Sequence, residues 1–305
     1  MSGGILRLSH VEIRVPDLEL ATAYYAEVVG LVETAREPGR VFLKGWDEHQ
    51  HHSVILTDAP TYGLEHMGFK VEDADDLAHY ETRLETAGVS VERFARGALA
   101  PGHGDAIRFR APTGHLVELV HGMEQVGNML PLNNPPPEPL GLVGMHPPRI
   151  DHVFLTAEDV DDATRFFSEL LDFRLAEQIL GDDGHQLASF LERTHTPHDV
   201  AFITGPQGGL HHFAFWLDDW NQVRRAADIC SYHGIDIDAG PTRHGATRGY
   251  GLYFFDPAGN RNEVYTGGYW VDPDADPITW TESEMGRAIF YYEGVVNQRF
   301  LTVHS

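Results

Sequence analysis

The chain is written twice, and that duplication narrows its possible folds more than any other feature. The segment starting at His10, HVEIRVPDLELATAYYAEVVG, lies beside the one starting at His152, HVFLTAEDVDDATRFFSELLD. Asp17 falls on Asp159, Ala21 on Ala163, Thr22 on Thr164, Tyr24 and Tyr25 on Phe166 and Phe167, and Glu27 on Glu169. Self-similarity at a fixed offset means that one structural unit has been built twice. Each copy predicts a strand carrying a histidine, an Asp suited to cap a helix, and an aromatic-rich amphipathic helix of about three turns. Downstream, Gly63-Leu64-Glu65-His66 lies on Gly209-Leu210-His211-His212, each followed by an apolar strand, MGFKV or FAFWL. The interval from His66 to Gly88 equals that from His212 to Gly234, so each second helix ends at a glycine. The halves close with Pro112-x-Gly114-x-x-x-Glu118 and Pro257-x-Gly259-x-x-x-Glu263, a tight turn into a final strand. Both units therefore predict β-α-β-β-(helix)-β-β.

Between the copies, Pro131, Pro135, Pro136, Pro137, Pro139, Pro147 and Pro148 exclude helix interiors and central strands. The expected organisation is a structural first module over 7–122, a linker over 123–149, a catalytic second module over 150–268 and a tail over 269–305 packing on it. In the tail, SEMGRAIFYYEG has helical spacing and NQRFLTV reads as a last strand. With 305 residues, 42% of them hydrophobic, the chain can bury real cores. Its formal charge of −24 repels phosphate backbones and anionic lipid. No apolar run reaches the roughly 18 residues that a membrane-spanning helix needs, and Met1 to Leu8 lacks the pattern of a secretion signal. One cysteine, Cys230, permits no internal disulfide and fits a reducing compartment. A cytoplasmic enzyme or binding protein is expected.

The chain holds 19 histidines, and their placement gives them meaning. Each half offers His, His and Glu at corresponding positions: His10, His66 and Glu118, then His152, His212 and Glu263. Two imidazoles and one carboxylate from neighbouring strands can occupy one face of an octahedron and leave the other positions open, which suits non-haem Fe(II). The proton-handling groups around the triple separate the halves. The second half has His198, His244 and Tyr253. The first keeps His52 at the spacing of His198, but Arg108 stands where Tyr253 is expected and Leu99 where His244 is expected, with His103 the nearest substitute. An acid-base histidine and a phenol beside a metal are what a reaction on a bound diphenol needs. The second half is thus the expected working site and the first a scaffold with ligand-like residues.

The string Gly240-Pro-Thr-Arg-His-Gly245, followed by Leu252-Tyr-Phe-Phe-Asp-Pro-Ala-Gly-Asn-Arg-Asn-Glu-Val264, resembles the signature of the type I extradiol ring-cleaving dioxygenases, and among them the catechol 2,3-dioxygenases. His198-Asp-Val-Ala-Phe202 and the tail Gly286-Arg-Ala-Ile-Phe-Tyr291 share in the likeness. The resemblance implies an α+β vicinal oxygen chelate fold, two tandem modules of paired βαβββ units with a metal in the second only. It further implies that His152, His212 and Glu263 bind Fe(II), Mn(II) being the alternative ion. His198 would sit beside the dioxygen site and supply a proton, while His244 and Tyr253 would hydrogen-bond the substrate oxygens. Ile203, Ala246 and Phe300 match apolar positions of the ring pocket. The implied reaction is cleavage of catechol, or a simple substituted catechol, next to the diol by O2, giving 2-hydroxymuconate semialdehyde in aromatic compound degradation. A homotetramer is usual for such proteins.

A glyoxalase-type isomerase or lyase is the first alternative; it would draw ligands from both modules. A non-enzymatic chelating or drug-binding module is the second, and it needs neither Tyr253 nor His198. Other conspicuous residues have plainer readings. His49 to His52, in the run EHQHH, read as a solvated turn running into a strand, His115 and His121 as solvent-facing, and His211 as pointing to the strand face opposite His212. Asp73, Asp75 and Asp76, like Asp159, Asp161 and Asp162, sit where helices start and the macrodipole favours negative charge. Cys230 reads as a buried, inert helix residue.

Overall fold

The computed structural model describes residues 4–305. The first module runs β1 (Ile5–Val15), α1 (Leu18–Ala23) continuing as a π-helical segment over Tyr24–Val29, β2 (Val32–Glu37), β3 (Arg40–Lys44), β4 (Val54–Asp58), β5 (Gly63–Val71), α2 (Ala74–Thr86), β6 (Val91–Phe94), β7 (Asp105–Arg110) and β8 (Leu116–His121). The second repeats it as β9 (Arg149–Ala157), α3 (Val160–Leu171), β10 (Arg174–Leu180), β11 (Gln186–Glu192), β12 (Val200–Thr204), β13 (Leu210–Trp216), α4 (Trp220–His233), β14 (Ile237–Arg243), β15 (Gly249–Phe255) and β16 (Arg261–Gly267). The tail adds β17 (Ile278–Thr281), α5 (Met285–Ile289) and α6 (Gln298–Thr302). Each half is therefore two βαβββ units in series, the α+β plan that the resemblance implies.

Local chemistry explains the helix starts. Asp17 accepts the Leu20 N–H at 2.9 Å and Asp159 that of Asp162 at 2.8 Å, each satisfying a donor that the first helical turn leaves free. Helix α3 buries Val160, Ala163, Phe166, Phe167 and Leu171 along one stripe. The π-helical segment closes at Gly30, whose φ of +88° and proximity to the linker leave no room for a side chain: a Cβ there would lie 2.2 Å from the Val143 carbonyl oxygen.

Strand order places the chemistry. The first sheet reads β2-β3-β4-β1-β5-β8-β7-β6 and the second β14-β15-β16-β13-β9-β12-β11-β10-β17. The histidine-bearing strands β9 and β13 are neighbours, and the glutamate-bearing β16 lies beside β13, as β1, β5 and β8 do in the first sheet. One apolar core runs through both modules, joining Val11 and Ile13 of β1 with Val153 and Leu155 of β9. Across that junction the Tyr24 hydroxyl donates to Asn262 Oδ1 at 2.9 Å and the Tyr25 hydroxyl to Asp256 Oδ2 at 3.0 Å. No helix among the described residues is long and apolar enough to cross a membrane.

Several expectations are corrected. Each module has eight strands where β-α-β-β-(helix)-β-β has five; in the first, β2 (VETARE) and β6 (VERF) are charged sheet edges without clean alternation. The tail segment NQRFLTV forms a short helix, not a strand: Asn297 accepts the Phe300 N–H at 2.7 Å and so caps a helical turn that buries Phe300. SEMGRAIFYYEG is helical only over Met285–Ile289, after a 3₁₀ turn at Glu282–Glu284. In EHQHH only His49 is exposed; His51 and His52 are buried with their Nδ1 atoms 2.9 Å apart. His115 is also buried, held between Thr113 Oγ1 at 2.8 Å and the Gly209 carbonyl at 3.1 Å, and His121 is half-buried. Imidazole tolerates burial once its two nitrogens find partners, so a histidine in a polar run says little about exposure. Cys230 is buried in α4.

Candidate metal centre and active site

Three strands of the second sheet bring His152, His212 and Glu263 together in its interior. Their side chains are almost wholly buried, and Nε2 of His152 lies 3.1 Å, Nε2 of His212 3.0 Å, from the same carboxylate oxygen, Oε2 of Glu263. The other oxygen, Oε1, is buried without a hydrogen-bond partner.

The groups behind this triple fix which nitrogen carries a proton. A carbonyl only accepts, so His211 Nε2, 2.8 Å from the Phe300 carbonyl oxygen, is a donor. Burial, and then the nearby Arg261 guanidinium, push the His211 pKa well below the usual imidazole value, so the ring is neutral and its Nδ1 is an acceptor. His212 Nδ1, 2.7 Å away, must donate to it, which leaves the His212 Nε2 lone pair facing Glu263. Two acceptors 3.0 Å apart repel unless a cation sits between them, and this geometry is the strongest sign that the residues fit a metal. His152 is arranged likewise: Nδ1 lies 2.9 Å from Asp151 Oδ2, a carboxylate behind an imidazole of the kind that orients metal ligands. Burial lowers both imidazoles. For His152 the hydrogen bonds to Asp151 and Glu263 outweigh it and push the pKa up to about 9, whereas His212 falls to about 4. Burial would raise Glu263, but the imidazoles around it, His152 foremost, hold it well below the carboxylate range. One proton is therefore shared around an anionic carboxylate, where a divalent ion would replace it.

His198, just ahead of β12, packs on His152 with ring centroids 3.9 Å apart. Burial, reinforced by His152, depresses its pKa well below the usual value, and its Nδ1 has no partner. His244, just after β14, bonds through Nδ1 to the Ile289 carbonyl of α5, so its Nε2 accepts from the Tyr253 hydroxyl at 3.1 Å. Tyr253 and Glu263 are directly paired across the β15–β16 hairpin, not set along one strand. Burial, and then Glu263, raise the Tyr253 phenol far above its usual pKa, keeping it a donor. All six groups line one cavity with Ile203, Ala246 and Phe300, and with Phe154, Phe190 and Thr247. No lysine or arginine is among its lining residues.

Sequence reasoning missed three contributors. His211 does not point away from His212, because the β13–β9 ladder slips between Leu210 and His212 and breaks the strand alternation. Asp151 carried no signal beyond adjacency to His152. Arg261, inside the Gly259-Asn-Arg turn motif, is buried between Asp238 at 3.0 Å and the His211 carbonyl at 3.1 Å, its guanidinium over the Phe300 ring.

Comparison with known proteins agrees with the architecture. Residues 149–264 match the model of the Glyoxalase/Bleomycin resistance protein/Dioxygenase superfamily, and residues 64–123 that of the catechol 2,3-dioxygenase-like N-terminal domain. The chain is 44% identical over 306 aligned residues to a metapyrocatechase of Pseudomonas sp. (strain CF600), covering 99% of each chain. It is 31% identical to a manganese-dependent 2,3-dihydroxybiphenyl 1,2-dioxygenase of Geobacillus genomosp. 3, covering 96% of this chain and 95% of that one. The crystal structure of the 2,3-dioxygenase LapB from Pseudomonas sp. KL28 superposes with a TM-score of 0.89 at 39% identity, covering 92% of this chain and 99% of that one. Full-length similarity at this level, with duplicated modules and the family signature, places the chain in the metapyrocatechase family of metal-dependent extradiol dioxygenases.

Proposed function

We propose that this enzyme cleaves catechol, or a simple substituted catechol, next to the diol with O2, yielding 2-hydroxymuconate semialdehyde in aromatic catabolism. One observation carries the reading: His152, His212 and Glu263 open into the same apolar cavity as His198, His244 and Tyr253. The absence of lysine and arginine from that lining favours an uncharged ring over one bearing a carboxylate. A chelating or binding module has no use for the acid-base groups, and a glyoxalase-type site would divide its ligands between modules.

His152, His212 and Glu263 would hold the metal, and two imidazoles with one carboxylate suit Fe(II), with Mn(II) the alternative that the Geobacillus relative uses. What a divalent ion supplies there, when bound, is a shared coordination sphere that brings both diol oxygens and dioxygen into adjacent positions. The protein does the rest. The apolar walls, with Ile203, Ala246 and Phe300, exclude water and orient the ring. Tyr253 holds its proton and offers a hydrogen bond to an anionic substrate oxygen. His244, fixed by the Ile289 carbonyl, presents Nε2 to the same region and accepts a proton from the diol. His198 has an uncommitted Nδ1 in a dry site, so it can take a proton and return it as the ring opens.

On this reading residues 150–268 form the catalytic module and 7–122 the structural one, joined by 123–149, with 269–305 as the tail. A cytoplasmic location fits the single buried cysteine, and a homotetramer is the assembly usual among proteins it resembles. Mixing the aerobic protein with catechol tests the reading. A yellow ring-fission product that vanishes with an Fe(II) chelator is expected; an unchanged catechol spectrum with the metal loaded contradicts it.

A further inference from the structure

The first module repeats the ligand triple on matching strands but fills its centre from within. His10 on β1, His66 on β5 and Glu118 on β8 are fully buried. His10 Nε2 lies 3.0 Å from His66 Nε2 and 3.5 Å from Glu118 Oε1, and His66 Nε2 lies 3.6 Å from Glu118 Oε2. Each residue offers a ligand atom within 4.8 Å of the others, as the second-module triple does. Metal–ligand bonds of about 2.0–2.2 Å set neighbouring ligand atoms at roughly this spacing. A carboxylate also stands near one imidazole, Glu12 Oε2 lying 3.1 Å from His66 Nδ1, without the aligned hydrogen bond that Asp151 makes to His152.

The difference lies in the residue paired with the carboxylate. Arg108 faces Glu118 in the β7–β8 ladder, where Tyr253 faces Glu263 in β15–β16. Arg108 Nε donates to Glu118 Oε2 at 2.8 Å, and its Nη2 is 3.3 Å from His66 Nε2. A guanidinium has five N–H donors and no lone pair, so two atoms that would bind an ion face N–H groups instead. His103 adds a contact of 2.8 Å from Nε2 to Glu118 Oε1. A buried carboxylate requires a countercharge; Arg108 supplies it, and a second cation about 3 Å away would meet strong repulsion in this interior.

We infer that Arg108 stands in for a metal ion, making the first module a divalent-cation site closed by its own side chain. Neutralising position 108 opens the site, with His10, His66 and Glu118 as ligands. This inference does not depend on the substrate of the second module.

The test compares wild type with Arg108→Tyr, the residue of the second module, and Arg108→Gln, neutral and shorter. Holoenzyme is equilibrated with excess Mn(II), freed of unbound ion, and its total metal per chain is measured by mass spectrometry. Wild type should hold one ion, each variant two, and each variant combined with His10→Ala one again. Since Glu118 loses its guanidinium partner, the metal-free variants should melt below metal-free wild type and gain more than it does from Mn(II). A variant that is folded yet holds one ion overturns the inference. So do two ions in wild type, a second ion that survives His10→Ala, and a variant that stays unfolded in saturating Mn(II).

Discussion

Replacing His211 with Leu should loosen the metal without touching a ligand. His211 is fully buried, donates to the Phe300 carbonyl and accepts from His212 Nδ1. Leucine removes both bonds and leaves a buried carbonyl and a buried N–H unpaired, at about 1–3 kcal/mol each, so about 2–6 kcal/mol of stability is at stake. The free His212 ring can also take the other tautomer, presenting N–H toward Glu263. Loss of such a partner behind a ligand typically weakens metal binding by about 10–100-fold. The assay is metal loss to a chelator in stopped flow, alongside the thermal midpoint and the KM for catechol. His211→Gln should recover part of the affinity, since one end of its amide can accept from His212 while the other donates to Phe300. Wild-type retention in His211→Leu, or a glutamine variant no better than leucine, would refute the hydrogen-bond chain drawn from His212 through His211 to the Phe300 carbonyl.

His198→Phe should keep metal content and catechol affinity while slowing the oxygen-dependent steps by about 100-fold or more, as loss of a positioned acid-base group does; single-turnover mixing of the anaerobic catechol complex with O2 separates the two. His115 gives a pH dependence. Burial, only partly opposed by the Gly209 carbonyl, lowers its folded pKa from 6.5 to about 4, so the unfolded chain binds the extra proton between those values. Its stabilising contribution is complete above pH 6.5 and is lost as pH falls toward 4, about 3 kcal/mol in all. Urea titrations should show that loss for wild type and a flatter profile for His115→Gln; identical slopes would contradict the assignment.

What was legible in the chain was what duplication writes in register. Strand histidines, the Asp17 and Asp159 caps and the final Glu recur at fixed offsets, and the ligand strands are neighbours in both sheets. The change from Tyr253 to Arg108 was also visible, but its meaning was not, since only the ladder shows each facing its carboxylate. What stayed hidden depends on tertiary contact. The Phe300 carbonyl reaches His211 across 89 residues, through a tail helix that its sequence disguises as a strand. The burial of His51, His52 and His115 was likewise unreadable, because neighbouring elements decide whether an imidazole finds partners. Edge strands such as β2 and β6 carry charge to discourage pairing with other chains, and so lose the alternation by which strands are recognised.

The most direct measurement is metal content across six single variants purified under identical conditions and checked for folding by circular dichroism. His152→Ala, His212→Ala and Glu263→Ala should each retain almost no metal and form no ring-fission product, while His10→Ala, His66→Ala and Glu118→Ala should stay near one ion per chain. Full metal in any of the first three, or its loss in a folded member of the second three, would contradict the location of the catalytic centre.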